Sequence, residues 1–281
     1  MGKFDGVLLV SDFDNTLVYT QRTFEEGAAV PQLSPYNHRR IRYFMENGGR
    51  FAVATGRTWQ LIRPYLPEIP TNAPCGVGNG AGLVDIPTGR YLYRNFLPDE
   101  VAGHMEEVLR AFPDLSCEIF RGDDCSDAIN PCDFTYYHAQ SAGYAFRTVK
   151  SVAECPLPIV KILFEGTERQ GVTAIAEFIR SRPWAGRCEL IFSSDILLEL
   201  TARNATKGVL VEHLAAYCGV DREHLYCIGD QKNDLSMLEA AKEGFAPSNA
   251  VEAVKNSGVT VVGHCEEGAV GQVIDLLDQR Y

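Results

Sequence analysis

The chain has 281 residues, 46% hydrophobic and 22% charged, a soluble globular composition with length for one large domain or two smaller ones. A net charge of −11, from 26 basic against 37 acidic residues without basic runs, argues against a nucleic-acid or anionic-membrane surface. Nine scattered cysteines with no CxxC pair argue against a disulfide framework or zinc site, Cys117, Cys125 and Cys132 included, and for a reducing cytosol; no apolar run is long enough for a signal peptide or membrane span.

The first predicted element is a strand. Val7 to Val10 is a short apolar run suited to burial on both faces of a parallel sheet. It stops at Ser11-Asp12-Phe13-Asp14-Asn15-Thr16, where Asp12 and Asp14 stand two residues apart in an extended segment. That spacing puts their Cα atoms about 7 Å apart on one side, a gap that can flank one phosphoryl group. Val18 to Leu33 has no clear period and is expected to be a loop or small hairpin. Ser34-Pro35 opens a helix as N-cap and first helical residue, and Gly48-Gly49 ends it.

Phe51 to Ala54 is a second buried strand, ending at Thr55-Gly56-Arg57-Thr58, and a helix through Trp59, Ile62 and Leu66 follows. This order implies a right-handed parallel crossover. Cys75 to Gly82 fits the spacing of a dinucleotide fingerprint at Gly76, Gly78 and Ala81. The expected context is wrong, because Leu83 to Tyr93 reads as strand, Pro-Thr-Gly turn and strand; close backbone packing is the reading adopted.

From Leu83 the rhythm changes. A helix (99–111), a strand (115–120), a loop (121–133), an aromatic stretch (134–138), a strand (159–164), a helix (168–182) and a strand pair (188–192, 196–201) read as a separate α+β insert. The parallel rhythm returns at Asn204. A helix over 207–218 leads to the run Leu225 to Ile228, which ends at Gly229-Asp230-Gln231-Lys232-Asn233-Asp234. A helix over 235–241, strands near 244–246 and 259–262, and a closing amphipathic helix to Leu277 complete the chain.

Three apolar runs therefore end in polar residues where a parallel strand hands over to its helix: Asp12 and Asp14, Thr55, and Asp230 and Asp234. Ligands bind at that edge of open α/β sheets. If the strands are neighbours, four carboxylates converge, and two like charges 4 Å apart repel by about 4 kcal/mol at an effective dielectric of 20. A hard divalent cation such as Mg²⁺ relieves that repulsion. Lys207 stands in the first turn of its helix, where the macrodipole disfavours a cation; beside an acidic phosphate site it has a positive reason to be there. Thr55 offers a hydroxyl, and Arg57 either a phosphate contact or an orienting salt bridge.

The ordered set Asp12-Phe13-Asp14-Asn15-Thr16, Thr55-Gly56-Arg57, Lys207 and Gly229 to Asp234 resembles the four motifs of the haloacid dehalogenase-like superfamily. A large insert between the second and third motifs is similar to the Cof-type and sucrose-phosphatase-like branch. Asn15 stands where that branch most often has Gly. The resemblance implies an α/β fold: a Rossmann-like three-layer core with a parallel sheet, from residues 1–82 and 203–281, and an inserted, mobile α+β cap domain, 83–202. It makes Asp12 a nucleophile, Asp14 an acid and then a base, and Thr55, Gly56, Lys207 and Asn233 phosphate-binding. Asp12, Asp14 (through its backbone carbonyl), Asp230 and Asp234 become the Mg²⁺ set.

The implied activity is a Mg²⁺-dependent phosphatase acting on a small phosphorylated metabolite such as a sugar phosphate, in the cytoplasm, with no nucleic-acid or membrane partner. A phosphomutase would use the same motifs, and a non-catalytic binding protein could keep the scaffold. A kinase or NTPase of the P-loop type is disfavoured, since no GxxxxGK[ST] occurs. Substrate choice is expected in the insert, with the loop 121–133 and Tyr136, Tyr137 and His138 as candidates.

Overall fold

The structure is a computed structural model and describes residues 2–21, 32–123, 125–166 and 169–281. Most of the loop or hairpin expected before Leu33 lies outside these residues, as does Glu168, the expected start of a helix. In chain order the strands are β1 (Leu8–Ser11), β2 (Arg50–Val53), β3 (Cys75–Val77), β4 (Gly82–Asp85), β5 (Arg90–Arg94), β6 (Ser116–Arg121) and β7 (Ser126–Ile129). Then come β8 (Phe146–Thr148), β9 (Ile159–Glu165), β10 (Cys188–Phe192), β11 (Leu197–Ala202), β12 (Leu225–Ile228), β13 (Glu243–Ala246) and β14 (Thr260–Val261). The helices are α1 (Pro35–Glu46), α2 (Trp59–Ile62), α3 (Val101–Ala111), α4 (Asp133–Ala142), α5 (Arg169–Arg180), α6 (Lys207–Cys218), α7 (Leu235–Ala240), α8 (Glu252–Lys255) and α9 (Ala269–Asp278).

The chain divides into two compact units, one of 1–56, 62–93 and 206–281, the other of 57–61 and 94–205. In the first, a fully parallel sheet runs β14-β13-β12-β1-β2, with Leu8 opposite Leu225 on one side and Arg50 on the other. Period-two alternation explains its layers. Leu8, Val10, Ala52 and Cys227 join Leu210, Val211 and Leu214 of α6 and Met237 and Leu238 of α7 in one apolar cluster. The other face is covered by α1, which packs against both β2 and α9. The Ser34 side chain caps α1 by accepting from the Asn37 N–H, and Gly48 beyond its end takes φ +95°.

The helix expected through Leu66 closes after four residues at Ile62, followed by a separate 3₁₀ turn at Leu66–Glu68. Pro64 explains the stop, since its ring disfavours a helical residue before it and it has no N–H to continue the ladder. The strands β3, β4 and β5 form their own antiparallel sheet, and Leu83 and Tyr93 pack into the core cluster with α6. The compact core thus reaches Tyr93, beyond the composition change at Leu83.

The second unit is the inserted α+β cap. Its six-stranded sheet runs β10-β11-β9-β6-β7-β8, antiparallel except for β7 with β8. Strand β7 lies within the segment read as a loop. Val101, Met105 and Val108 of α3 and Val172, Ile175, Ala176 and Ile179 of α5 share a buried cluster with Cys117, Ile119, Ile162, Phe164, Leu198 and Leu200. The alternate residues Glu118, Lys161, Glu165 and Glu199 are buried as well, with Lys161 Nζ 2.9 Å from Glu199 Oε2.

Glu118 and Glu165 are buried close enough for each carboxyl to shift the other, and Glu165 is the one pushed towards its protonated form. Burial and the neighbouring Glu118 push Glu165 up to about 9. At Glu118 burial acts upwards too, but His138, whose Nδ1 is 2.6 Å away, and Tyr144 hold it below the usual carboxylate range. The folded state therefore keeps a proton on Glu165 that the unfolded chain releases near 4.5, and stability falls as pH rises from about 4.5 to about 9. Denaturant midpoints for loss of cap structure are expected to drop across that interval, and Glu165→Gln to flatten the drop. Equal pH dependence in the variant would refute the assignment.

Candidate active site

The site is built at the carboxyl edge of the parallel sheet. The Asp12 N–H donates to Ile228 O at 2.9 Å and the Ala54 N–H to Ser11 O at 2.9 Å, so Asp12 leaves β1 locked between β12 and β2. Lys207 begins α6 behind its N-cap Thr206. Its Nζ lies 2.6 Å from Asp12 Oδ1 and 2.5 Å from Asp234 Oδ1, and its side chain is fully buried. The other Asp234 oxygen accepts from the N–H groups of Asp230 and Gln231, each at 2.9 Å. Thr16 Oγ1 donates to Asp230 Oδ1 at 3.1 Å.

Asp12, Asp230 and Asp234 each bring an oxygen within 4.8 Å of the others. Burial, then Asp234, raises Asp12 to about 7 against the pull of Lys207. Burial, then Asp12 and Asp234, raises Asp230 well above the carboxylate range. At Lys207 burial acts downwards, but Asp12 and Asp234 outweigh it and hold the ammonium charged. One cation thus faces three buried carboxyls. The donors are all oxygen and the charge is undercompensated, which suits a hard divalent cation. Asp12, Asp230 and Asp234 are the carboxyls that could hold it, with both Asp234 oxygens also hydrogen-bonded within the site.

Four carboxylates were expected to converge, and three do. The fourth, Asp14, is half-buried and accepts from Thr20 Oγ1 at 2.8 Å, while still lying close enough to raise Asp12. Asn15 has φ +54°, the left-handed region that Gly and Asn tolerate, which explains how Asn replaces Gly there.

Thr55 is buried, and its backbone links β2 to β3 through Gly76 O at 3.0 Å. Its carbonyl accepts from the Asn79 N–H at 3.1 Å. A side chain at Gly56 would approach the Asn79 amide at 3.0 Å, and Asn233 Nδ2 donates to Asn79 Oδ1, also at 3.0 Å. Asn79 therefore joins Thr55, Gly56 and Asn233. Arg57 falls in the other compact unit. Gly76 serves packing: a Cβ there would come within 2.3 Å of Leu210 in α6.

Sequence reasoning missed Asn79, Thr20 and Thr16. Asn79 sits at φ +55° between Gly78 and Gly80, both also at positive φ, so an Asn inside a glycine run was the available signal. The hydroxyls had none, since Thr is ordinary in any turn. Among the described residues the cysteines form no metal-ligating group and the nine thiols are free. Among the described residues no helix is long and apolar enough to cross a membrane.

The family model for haloacid dehalogenase-like hydrolases matches residues 9–274, and the chain belongs to that family. It is an enzyme of the hydrolase class. Among curated relatives, the 5-amino-6-(5-phospho-D-ribitylamino)uracil phosphatase YitU of Bacillus subtilis is 25% identical, over 95% of this chain and 96% of its own. An HMP-PP phosphatase of Yersinia pseudotuberculosis is 27% identical, over 83% and 85% of the two chains. A haloacid dehalogenase-like hydrolase from Bacteroides thetaiotaomicron has the same fold, with TM-score 0.79, 24% identity, and 96% and 99% of the chains covered.

Proposed function

We propose that the protein is a Mg²⁺-dependent phosphoric monoester hydrolase that cleaves a small phosphorylated metabolite, a sugar phosphate or sugar-alcohol phosphate, through an aspartyl-phosphate. The observation that carries this reading is Asp12, held by Lys207 among buried carboxyls at the edge of the sheet. The substrate class follows the two curated relatives, both phosphatases, one of them acting on a phosphorylated ribityl compound.

In this reading an Asp12 oxygen attacks phosphorus, and the bond from phosphorus to the ester oxygen breaks as Asp14 gives that oxygen its proton. Asp14 then takes a proton from water, whose oxygen attacks phosphorus, and Asp12 leaves with inorganic phosphate as product. Lys207, Thr55, Gly56 and Asn233 hold the phosphoryl group, where positioning and charge do most of the work. Asp12, Asp230 and the Asp14 carbonyl would hold Mg²⁺, which supplies positive charge against the phosphoryl oxygens. Asp234 acts through Lys207 and the Asp230 loop, because both its oxygens are engaged there.

The test is a screen of phosphorylated metabolites with Mg²⁺, reading released phosphate. Release is expected from at least one sugar phosphate, stopped by EDTA and restored by Mg²⁺. Full activity in metal-stripped protein would refute the metal requirement; transfer to a second hydroxyl with no free phosphate would point to a mutase.

A further inference from the structure

Between β13 and α8 a short loop, Pro247 to Val251, reaches back to both ends of the site. The Val251 N–H donates to Asp230 O at 3.0 Å. Asn249 Nδ2 donates to Asn15 O at 2.7 Å, and Asn249 Oδ1 accepts from the Cys265 N–H at 2.9 Å. The loop is itself tied down, with the Ala250 N–H bonded to Pro247 O and the Ser248 N–H to Gly263 O. One amide side chain thus joins the turn after β1 to the segment after β14.

We propose that Asn249 is a positioning residue for Asp14, a role that rests on the phosphatase reading above. The turn it grips is conformationally demanding. Asn15 takes φ +54°, a left-handed conformation that Asn tolerates and that surrounding bonds hold in place. Those bonds are the Asn15 N–H to Val18 O at 2.7 Å, Asn15 Oδ1 accepting from the N–H groups of Thr20 and Gln21, and Asn15 O accepting from Asn249. Through Thr20 this turn sets Asp14, whose Oδ1 accepts the Thr20 hydroxyl at 2.8 Å. On its other side is Thr16, whose hydroxyl donates to Asp230. Releasing the Asn15 carbonyl frees the Asn15–Thr16 peptide to rotate, and Thr20 and the Asp14 carboxyl move with it, while the Asn15 N–H bond to Val18 O keeps the Asp14–Asn15 peptide, and with it the Asp14 carbonyl, in place. Asp12 is held separately, by β12 and Lys207, and stays in place.

The consequence is selective. A displaced Asp14 still leaves an attacking Asp12, so esters with good leaving groups react, whereas alkyl esters need the proton that Asp14 delivers. The experiment compares wild type, Asn249→Ala and Asn249→Asp with Mg²⁺ on p-nitrophenyl phosphate and on glucose phosphate. The Asp variant keeps an acceptor for the Cys265 N–H while replacing the donor to Asn15, so it isolates that bond if the Ala variant folds poorly. For both variants kcat on the alkyl ester is expected to fall about 10–100-fold, and on the aryl ester less than about threefold, with KM little changed. The carbon-13 carboxyl resonance of Asp14 is expected to move in both variants. An equal fall on the two esters, no fall on either, or an unmoved Asp14 resonance overturns the proposal. A wild type that hydrolyses neither ester would instead sink the phosphatase reading, and the resonance would still decide whether Asn249 positions Asp14.

Discussion

Asp12→Asn is expected to abolish turnover, by more than about 10⁴-fold, without loss of the fold. An amide cannot attack phosphorus, so no aspartyl-phosphate forms. The fold survives because the asparagine Oδ1 can still accept from Lys207, which keeps Asp234 as its charged partner at 2.5 Å. Burial already pushes Asp12 up to about 7, so the site disfavours its charge and accepts a neutral side chain of the same shape. Asp14→Asn removes a proton donor, help worth about 10²–10⁴-fold. Its loss should be severe on alkyl phosphates and partial on aryl phosphates. Measured turnover in Asp12→Asn, with wild-type behaviour in Asp14→Asn, would show the two roles to be wrongly assigned; circular dichroism checks the fold.

Lys207→Met should be the most destabilising single change at the site, by about 3–5 kcal/mol, because it strands Asp12 and Asp234 as buried carboxylates without a cation. The same replacement should remove activity. Adding Asp234→Asn to it is expected to recover part of the stability and none of the turnover, since one stranded charge disappears while the phosphoryl group still lacks its ammonium. Denaturant midpoints for the two variants and wild type make the comparison. A Lys207→Met midpoint equal to wild type would mean that the buried triad contributes nothing to the fold.

Much of the core was legible because its signals are local. The run Leu225 to Ile228, the cap and Pro at Ser34-Pro35, and the helix from Lys207 to Cys218 appear in the structure where the pattern puts them. Strands β7 and β8 were hidden, because Ser126-Asp127-Ala128-Ile129 and Phe146-Arg147-Thr148 carry too few apolar residues to show a period. The burial of β7 comes from its neighbours in the sheet, which a linear pattern does not contain, and β8 is a largely exposed edge strand. At the site, carboxylates at strand ends were visible from charge and spacing. The amides of Asn79 and Asn249 were not, because their partners, Asn233 for one and Asn15 and Cys265 for the other, lie far along the chain, and nothing near them in sequence records the partner.

The core sheet closes around contacts that are remote along the chain. Thr16 and Asp230 are 214 residues apart, and Lys207 and Asp12 are 195 apart. Long closures add little to the equilibrium cost but slow folding, because their entropy is lost before the contact forms. During synthesis, β1 is made early and can have no partner in β12 until the whole cap sequence has followed it. The cap sheet, by contrast, is drawn from one continuous stretch and is available to fold as soon as it emerges. The nascent chain therefore carries an apolar central strand, Leu8 to Ser11, without its β12 neighbour for as long as the cap sequence takes to be made. The order of assembly, cap before core, is written into where the insertion falls.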